Sequence, residues 1–408
     1  MSLAVSAPPV TVRSVAVADP GDLLTRLPRE QPLAWVRNGD GLVAWGELAR
    51  LDVGGPHVFA DAASWWAEQC SSMVVDDQVA LPGSGPVCFG SAAFDRRTAQ
   101  SVFVIPRVIL GRRDGHCWLT TFGSDRELPP VVRPAGPDTV AYADGALSQA
   151  RWCAAVATAV QRIKAGELDK VVLARDLLAR TQPAVDPRFL LQRLARRYPD
   201  CWAFAVDGLL GATPELLVSR RGRRITSRVL AGTVRRGRDA EDERLIAELL
   251  DSRKDQEEHR YAVRSVADAL SPYCPDLHTP ETPEVLRLAT VAHLATVVTG
   301  TLAADTAVLR LVEALHPTAA VCGTPTDLAL DVIPELERMD RGRYAGPVGW
   351  MDAEGDGDWG IALRSAEVDG ERVRLFAGCG IVAGSDPEAE LAESHAKLVT
   401  IRDALEGL

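Results

Sequence analysis

The chain has 408 residues, of which 47% are hydrophobic and 25% are charged, and its formal net charge is −11. This composition is typical of a soluble globular protein and excludes a disordered or fibrous chain. The acidic balance argues against nucleic acid or a membrane surface as a partner, because clustered Lys and Arg bind both.

The N-terminal third of the chain predicts antiparallel strands. Residues 1–14 are interpreted as a flexible tail and not a signal peptide, because their apolar stretch contains two prolines and no basic segment precedes it. Residues 15–140 form a sheet-rich half in which short apolar runs alternate with Gly, Pro and Asp, and one helical pattern interrupts them at 61–74. Four prolines in PPVVRPAGPD (129–138) predict an internal linker.

The remaining residues, 141–408, predict a catalytic region that mixes helices and strands. A helix over 147–165 follows from apolar residues at steps of four, four and three, and the strand KVVLAR follows at 170–175. Strands paired through short turns and broken by helices indicate an α+β fold, one large domain of antiparallel sheets with helices on their outer faces. Further strands are predicted at 201–207, 215–219, 223–228, 285–290, 346–351, 358–367 and 371–377, and helices at 187–197, 239–269, 305–315 and 387–405.

Eight cysteines are spread from Cys70 to Cys379 without a CxxC pair. This usage is typical of a reducing compartment, and it fits neither a disulfide framework nor a thiolate metal site. No window of about 18 uninterrupted apolar residues occurs. We therefore expect a cytoplasmic protein.

Lys170 opens the strand KVVLAR directly after Asp169. One interpretation is a strand-end lysine in water, which is the usual position of this residue. The other is a lysine held neutral by burial and by neighbouring positive charge, which can act as a general base.

A helix with a carboxylate pair is predicted within SRKDQEEHRYAV (252–263), where Asp255 and Glu258 lie at i and i+3. Taken alone, such a pair is usually a surface feature. Two helices that each present a carboxylate pair could hold Mg²⁺, a hard cation that takes oxygen ligands. The seven histidines are scattered and no HExxH sequence occurs, so no soft-metal site is predicted.

The last predicted helix supplies the second pair. Asp386 and Pro387 suit its N-cap and first position, and Glu390, Glu393 and Lys397 follow at i, i+3 and i+7 on one face. One interpretation is a solvated acidic face with a stabilising Glu393–Lys397 pair. The Gly-rich lead-in GCGIVAGSD favours a ligand site instead, because glycine lets backbone approach a ligand closely.

These segments resemble the chorismate-utilising enzymes, which include isochorismate, salicylate, anthranilate and aminodeoxychorismate synthases. The N-terminal 140 residues match them only loosely. Between about residues 145 and 406, eight segments match in family order, which makes the resemblance specific. They are LDKVVLAR (168–175), GATPELLVSR (211–220), VLAGTVRRG (229–237), SRKDQEEH (252–259), HPTAAVCGTP (316–325), DRGRYAGPVGW (340–350), ALRSAEV (362–368) and AGCGIVAGSDPEAELAESHAKL (377–398).

The resemblance implies chorismate, which carries two carboxylates, as substrate and Mg²⁺ as cofactor. The implied metal ligands, direct or through water, are Glu258 and Glu390, supported by Glu393 and Asp255. Arg364, Tyr344 and the backbone of Gly378 and Gly380 match positions that hold the second carboxylate, for which the fixed donor fork of arginine is suited. Other implied site residues are Gly232, Thr233, His293, Ala320 and Lys397. For His293, a core histidine whose hydrogen bonds are satisfied within the protein is an equally good interpretation.

The resemblance also implies individual chemical roles. Lys170 matches the base that removes a proton from water. Ala231 stands where aminodeoxychorismate synthases carry a nucleophilic lysine, so water is the implied nucleophile. Glu215 matches the general acid that protonates the departing 4-hydroxyl, which requires a raised pKa; outside the family it reads as a strand-entry carboxylate. Ala320 is similar to the small residue of isochorismate synthases, where lyase-competent relatives carry threonine.

We therefore expect a Mg²⁺-dependent isochorismate synthase whose product feeds quinone (menaquinone), siderophore or salicylate formation. One alternative is a salicylate synthase, which goes on to eliminate pyruvate. The other is a non-catalytic chorismate-binding protein. The expected partner is the small-molecule substrate alone, without nucleic acid, membrane or a glutamine amidotransferase subunit, and the expected state is a monomer or weak dimer.

Overall fold

Strands make up most of the regular structure in the computed structural model, which describes residues 9–123 and 127–407. The strands are Val10–Ala16 (β1), Leu33–Arg37 (β2), Asp40–Val53 (β3), Met73–Asp77 (β4), Val87–Ser91 (β5), Ser101–Arg113 (β6), His116–Phe122 (β7), Thr139–Asp144 (β8), Lys170–Gln182 (β9), Trp202–Val206 (β10), Leu209–Thr213 (β11), Leu216–Arg221 (β12), Arg224–Arg235 (β13), Glu284–Arg287 (β14), Val291–Thr301 (β15), Gly323–Thr324 (β16), Pro347–Asp352 (β17), Gly357–Ile361 (β18), Ser365–Asp369 (β19) and Arg372–Ile381 (β20). The α-helices are Val58–Ser71 (α1), Gln149–Lys164 (α2), Pro187–Arg197 (α3), Ala240–Asp251 (α4), Arg253–Leu270 (α5), Val308–Leu315 (α6), Thr326–Glu337 (α7) and Pro387–Glu406 (α8).

Two long paired strands, β3 and β6, connect two sheets. The first sheet has the neighbour order β4-β1-β7-β6-β3-β2-β10-β11-β19-β20-β9-β8. The second continues from β6 in the order β5-β17-β18-β12-β13-β15-β14. Within the described residues the pairings are antiparallel except for β1 with β4, so the predicted architecture of antiparallel sheets with packed helices is confirmed.

Apolar side chains fill two cores. The larger core joins residues of both sheets to six helices and includes Trp35, Trp152 and Trp359. The second lies under α3 and the C-terminal half of α8, where Leu194 and Ile401 pack. Strands β10, β11, β17 and β18 are buried at every position, which explains why their sequences lack a polar face. None of the helices within the described residues combines the length and apolar character needed to cross a membrane.

Several predicted elements agree with the structure, among them the helices at 149–164, 187–197, 308–315 and 387–406. Two local signals explain the agreement at the last helix: the Asp386 side chain accepts a hydrogen bond from the Ala389 N–H at 2.9 Å, and Pro387 takes the first helical position. The eight cysteines are all free, as predicted.

Other predictions are wrong. Residues 10–14 of the predicted tail belong to β1, where Val12 is fully buried; residues 1–8 lie outside the described part. The predicted helix 239–269 is two helices, because the Ser252 side chain accepts a hydrogen bond from the Asp255 N–H at 3.2 Å and caps a new helix. The predicted strand 358–367 is interrupted at residues 362–364, and neither α7 nor β15 was predicted.

Candidate active site

One cavity collects the strand ends of both sheets and the two acidic helices. Strands β9, β13, β15 and β20, helices α5 and α8, and the loops around residues 320, 344 and 364 line it. The predicted site residues found in its lining are Gly232, Thr233, Asp255, Glu258, His293, Ala320, Tyr344, Arg364, Gly378, Gly380, Glu390, Glu393 and Lys397. Residues that lie up to 165 positions apart in the chain, from Gly232 to Lys397, thus meet in one cavity.

The two predicted catalytic residues lie beside this cavity and not in its lining. Lys170 is 2% exposed and Glu215 is 5% exposed. Their neighbours Val172 and Pro214 are lining residues. The interpretation of Lys170 as a strand-end lysine in water is therefore wrong, and so is the solvated interpretation of the acidic face of α8 at Glu390, which is 4% exposed.

Lys170 meets a carboxylate and not the positive charge expected beside it. Its Nζ donates a hydrogen bond to Glu258 Oε1 at 3.0 Å. Burial would raise the pKa of Glu258, but the charge of Lys170 and that hydrogen bond outweigh it and lower the pKa. The lysine expected to act as a base is thus held by an acidic residue of α5.

Glu215 has the protonation state that a general acid needs. Burial raises its pKa to about 8, against the opposing charges of Lys170, Arg228 and Arg364. The carboxyl therefore holds its proton at neutral pH. The Glu215 N–H donates to Thr213 Oγ1 at 3.2 Å, which fixes the backbone at the entry to β12.

The acidic wall of the cavity is formed by α5 and the first turns of α8. Ligand atoms of Glu390, Glu393 and Cys379 lie within 4.8 Å of one another. Ser385 Oγ donates to Glu390 Oε1 at 2.7 Å, and Lys397 Nζ lies 2.5 Å from Glu393 Oε1, so the predicted Glu393–Lys397 pair is confirmed. Lys254 of α5 and Glu390 of α8, which are 136 residues apart in the chain, meet in this wall.

These carboxylates fit a hard divalent cation. Burial and then the charge of Glu393 raise the pKa of Glu390, and burial followed by the charge of Glu258 raises that of Asp255. Burial is the larger cause of both shifts, and repulsion between the carboxylates adds to it; a dication with oxygen ligands would relieve that repulsion. The four carboxylates that the sequence predicts as ligands, Glu258, Glu390, Glu393 and Asp255, all line the cavity.

A second part of the lining, the donor wall, consists of Thr233, His293, Tyr344 and Arg364, which come from strands and loops. Arg364 occupies the gap between β18 and β19 in a left-handed conformation, with φ of +49°. Its Nη2 lies 3.2 Å from His293 Nε2, and His293 Nδ1 lies 3.0 Å from Thr233 Oγ1. Tyr344 stacks on Phe376 with ring centroids 4.7 Å apart, and burial raises the pKa of its hydroxyl to about 12.

Two glycines of β20 keep the cavity open between these walls. A Cβ atom at Gly380 would lie 2.6 Å from Glu258 Oε1, and one at Gly378 would lie 3.2 Å from the Tyr344 hydroxyl. Both contacts are closer than ordinary packing allows. The two glycines therefore leave backbone exposed to a ligand, as the sequence prediction for this segment requires.

The sequence analysis missed two basic residues of the lining. Lys254 Nζ donates to Glu390 Oε1 at 3.4 Å, and its position directly before Asp255 was the available signal. Arg341 is 3% exposed, lies in the DRGRY segment and donates to Val172 O and Val321 O, both at 2.8 Å. Arg341 also forms a buried ion pair with Glu337, and it thereby connects the cavity lining to the end of α7.

Comparison with known proteins gives consistent matches. Residues 11–125 and 132–406 match the family described as chorismate binding enzyme. The chain is 37% identical over 415 residues to the salicylate biosynthesis isochorismate synthase of Pseudomonas aeruginosa, covering 93% of this chain and 86% of that protein. It is 35% identical over 364 residues to isochorismate synthase EntC of Escherichia coli, covering 87% and 90%. The solved structure of the menaquinone-specific isochorismate synthase MenF from Escherichia coli matches with a TM-score of 0.81 at 28% identity, covering 98% of this chain and 95% of that one.

Proposed function

The chain belongs to the family of chorismate binding enzymes, and from that premise we propose that it is an isochorismate synthase. The observation that carries the proposal is the position of two buried groups, Lys170 and Glu215, beside a cavity with one acidic wall and one donor wall. Relatives that are isochorismate synthases by name cover most of the chain, which supports the same reaction here.

The proposed reaction adds a hydroxyl from water at C2 of the ring and expels the C4 hydroxyl, without a change of oxidation state. Water attacks C2 of chorismate, the ring double bonds shift, and the bond from C4 to its hydroxyl oxygen breaks. Lys170, once its amine is unprotonated, takes the proton from the attacking water, and Glu215 gives its proton to the departing hydroxyl. The protonated lysine and ionised glutamate then exchange their protons with solvent. The reverse reaction exchanges the two roles, so the reaction is reversible.

Substrate binding is assigned to the two walls. We propose that Arg364 and Tyr344, with the backbone of Gly378 and Gly380, hold one carboxylate of chorismate. The guanidinium suits this role because its parallel N–H groups match both carboxylate oxygens. Lys397, whose Nζ donates to Gly378 O at 2.8 Å, places a positive charge at the same strand.

The other carboxylate is assigned to a Mg²⁺ ion on the acidic wall. When bound, the ion supplies a positive charge that holds a substrate carboxylate beside four protein carboxylates. Glu258 and Glu390 are the proposed ligands, direct or through water, with Asp255 and Glu393 in support. Glu258 is also the hydrogen-bond partner of Lys170, so the metal wall and the proposed base share one carboxylate.

Two observations bear on the alternatives. Ala320 lies in the cavity lining, where a small side chain resembles isochorismate synthases rather than salicylate synthases. The presence of Lys170, Glu215, Glu258 and Glu390 together argues against a protein that only binds chorismate. Product analysis by chromatography after incubation with chorismate and Mg²⁺ tests the proposal: isochorismate is expected, whereas salicylate with pyruvate, or no product, would contradict it.

A further inference from the structure

Three side chains of the donor wall, Arg364, His293 and Thr233, form a hydrogen-bond network. Arg364 Nη2 lies 3.2 Å from His293 Nε2, and His293 Nδ1 lies 3.0 Å from Thr233 Oγ1. Thr233 and His293 are paired residues of β13 and β15, and all three side chains line the cavity. His293 is 6% exposed, so solvent does not compete for its ring nitrogens.

The chemistry of Arg364 determines which atoms donate and which accept in this network. A guanidinium has donors and no acceptor, so Arg364 donates to His293 Nε2 and that nitrogen carries no proton. The remaining proton of a neutral imidazole then sits on Nδ1. Burial, followed by the charges of Arg364 and Lys397, lowers the pKa of His293 well below its usual value, which keeps the ring neutral.

The protonated Nδ1 in turn fixes the role of the threonine. Because Nδ1–H donates to Thr233 Oγ1, the hydroxyl accepts on that side and its own proton is directed elsewhere. Thr233 lines the cavity. Its hydroxyl therefore presents a donor to whatever lies in the cavity.

Two irregularities of the backbone place these side chains. The register of β13 shifts between Ala231 and Thr233, around Gly232 with φ of +74°. A side chain at Gly232 would adopt a strained conformation and meet Asp255 Cβ at 3.1 Å. Arg364 keeps its left-handed conformation while its carbonyl accepts from the Ala212 N–H at 3.2 Å. These irregularities, which regular strands would not provide, thus position the side chains of the network.

We infer that His293 is a positioning residue, a fixed Nδ1–H tautomer that orients Arg364 and makes Thr233 a donor to a carboxylate oxygen of the bound substrate. The inference rests on the proposed function only in naming chorismate as the owner of that oxygen. Arg364 needs a hydrogen-bond acceptor and Thr233 needs a donor, and a histidine supplies both from one side chain. A substrate analogue that carries a hydrogen-bond donor in place of this carboxylate oxygen would face the Thr233 hydroxyl proton with another proton and bind poorly.

Four variants separate the two halves of this role. Glutamine at position 293 can place an oxygen near the position of Nε2 and accept from Arg364. Asparagine can place an amide nitrogen near Nδ1 and donate to Thr233. Phenylalanine keeps the ring and removes both hydrogen bonds. Thr233→Val removes the hydroxyl and keeps the side-chain shape.

We expect His293→Phe and Thr233→Val to raise the KM for chorismate by about tenfold, the size of one lost hydrogen bond to a charged group, with a smaller change in kcat. His293→Gln and His293→Asn each recover part of the loss seen with phenylalanine. The double variant His293→Phe/Thr233→Val is less impaired than the product of the two single effects, because both act on one contact. Additive effects, or no recovery by either amide, would overturn the inference.

Nitrogen-15 NMR of the imidazole in the free wild-type protein tests the tautomer without substrate or mutation. One protonated and one unprotonated ring nitrogen at neutral pH, with the proton on Nδ1, is expected. A proton on Nε2, or on both nitrogens, would overturn the inference even if every variant failed to fold. Absence of isochorismate formation by the wild type would contradict the proposed function and leave this spectrum as the test of the inference.

Discussion

The two walls of the cavity differ in charge and in how the chain builds them. The acidic wall consists of two helices, each of which places carboxylates three positions apart on one face. The donor wall takes its residues from strand ends and loops, including His293, Tyr344 and Arg364. Helix spacing makes the acidic wall a local property of two short segments, whereas the donor wall exists only after distant strands have paired. The acidic wall is therefore the half of the site that the sequence predicts more directly.

The largest effect is expected at Lys170, which donates a hydrogen bond to Glu258 of the acidic wall. Lys170→Ala should lower turnover by roughly a thousandfold, the usual size of a general-base contribution, while Mg²⁺-dependent chorismate binding remains. Steady-state kinetics together with calorimetric titration of chorismate would show this. Lys164→Ala, on the exposed end of α2, is the matched control and should be unchanged. Near-normal turnover by Lys170→Ala would remove Lys170 as the base.

The acidic wall can be broken separately. Glu390→Gln keeps the shape of the side chain and removes one charge, so Mg²⁺ affinity should fall by roughly tenfold or more. Titration calorimetry with Mg²⁺ measures it, and Glu388→Gln, exposed two residues earlier on the same helix, is the control. An unchanged metal affinity would take Glu390 off the list of ligands.

A smaller effect with the opposite sign is expected at Lys254. Its ammonium donates to Glu390 and thus neutralises a carboxylate that the metal would use. Lys254→Met should raise Mg²⁺ affinity by about two- to fivefold, because the lysine side chain is 46% exposed and such pairs are weak. Arg253→Met removes an equal charge from the preceding exposed residue and should leave the affinity nearly unchanged. Weaker binding by Lys254→Met would show that the lysine supports the metal site instead of competing for it.

The smallest effect concerns stability and involves neither wall directly. The pKa of Glu215 is raised to about 8 in the folded protein, so the folded state binds a proton there that the unfolded state has already lost above its ordinary pKa near 4.5. Stability from this group is complete below the unfolded pKa and is lost as the pH rises through about 8. Glu215→Gln should therefore melt a few degrees higher than the wild type at pH 9 and show no such gain at pH 4, as thermal denaturation would report. An equal difference at both pH values would contradict the raised pKa.

The same contrast explains what the sequence could predict. The cap at Asp386 and the spacing of Glu390, Glu393 and Lys397 are local, and the structure has both as predicted. The hydrogen bond between Lys254 and Glu390 joins residues 136 positions apart, and no local pattern indicates it. The split of the predicted helix at Ser252 was equally hard to see, because one capping side chain decides between one helix and two.

The donor wall depended on resemblance to a family. Arg364 lies in an interruption between two strands that the apolar pattern read as one strand. His293 belongs to β15, which pairs with β13 along eleven positions and was not predicted, because its pattern is neither alternating nor helical. The charge next to Lys170 was also misjudged, since Glu258 reaches it from a helix 88 residues away. Tertiary pairing, and not local propensity, supplies these contacts.

Incubation of the protein with chorismate and Mg²⁺ in water enriched in oxygen-18, followed by mass spectrometry of the separated products, shows whether water supplies the new hydroxyl. Isochorismate that carries one oxygen-18 atom in its C2 hydroxyl is expected, without salicylate or pyruvate. Unlabelled isochorismate, release of pyruvate, or recovery of chorismate alone would contradict this expectation.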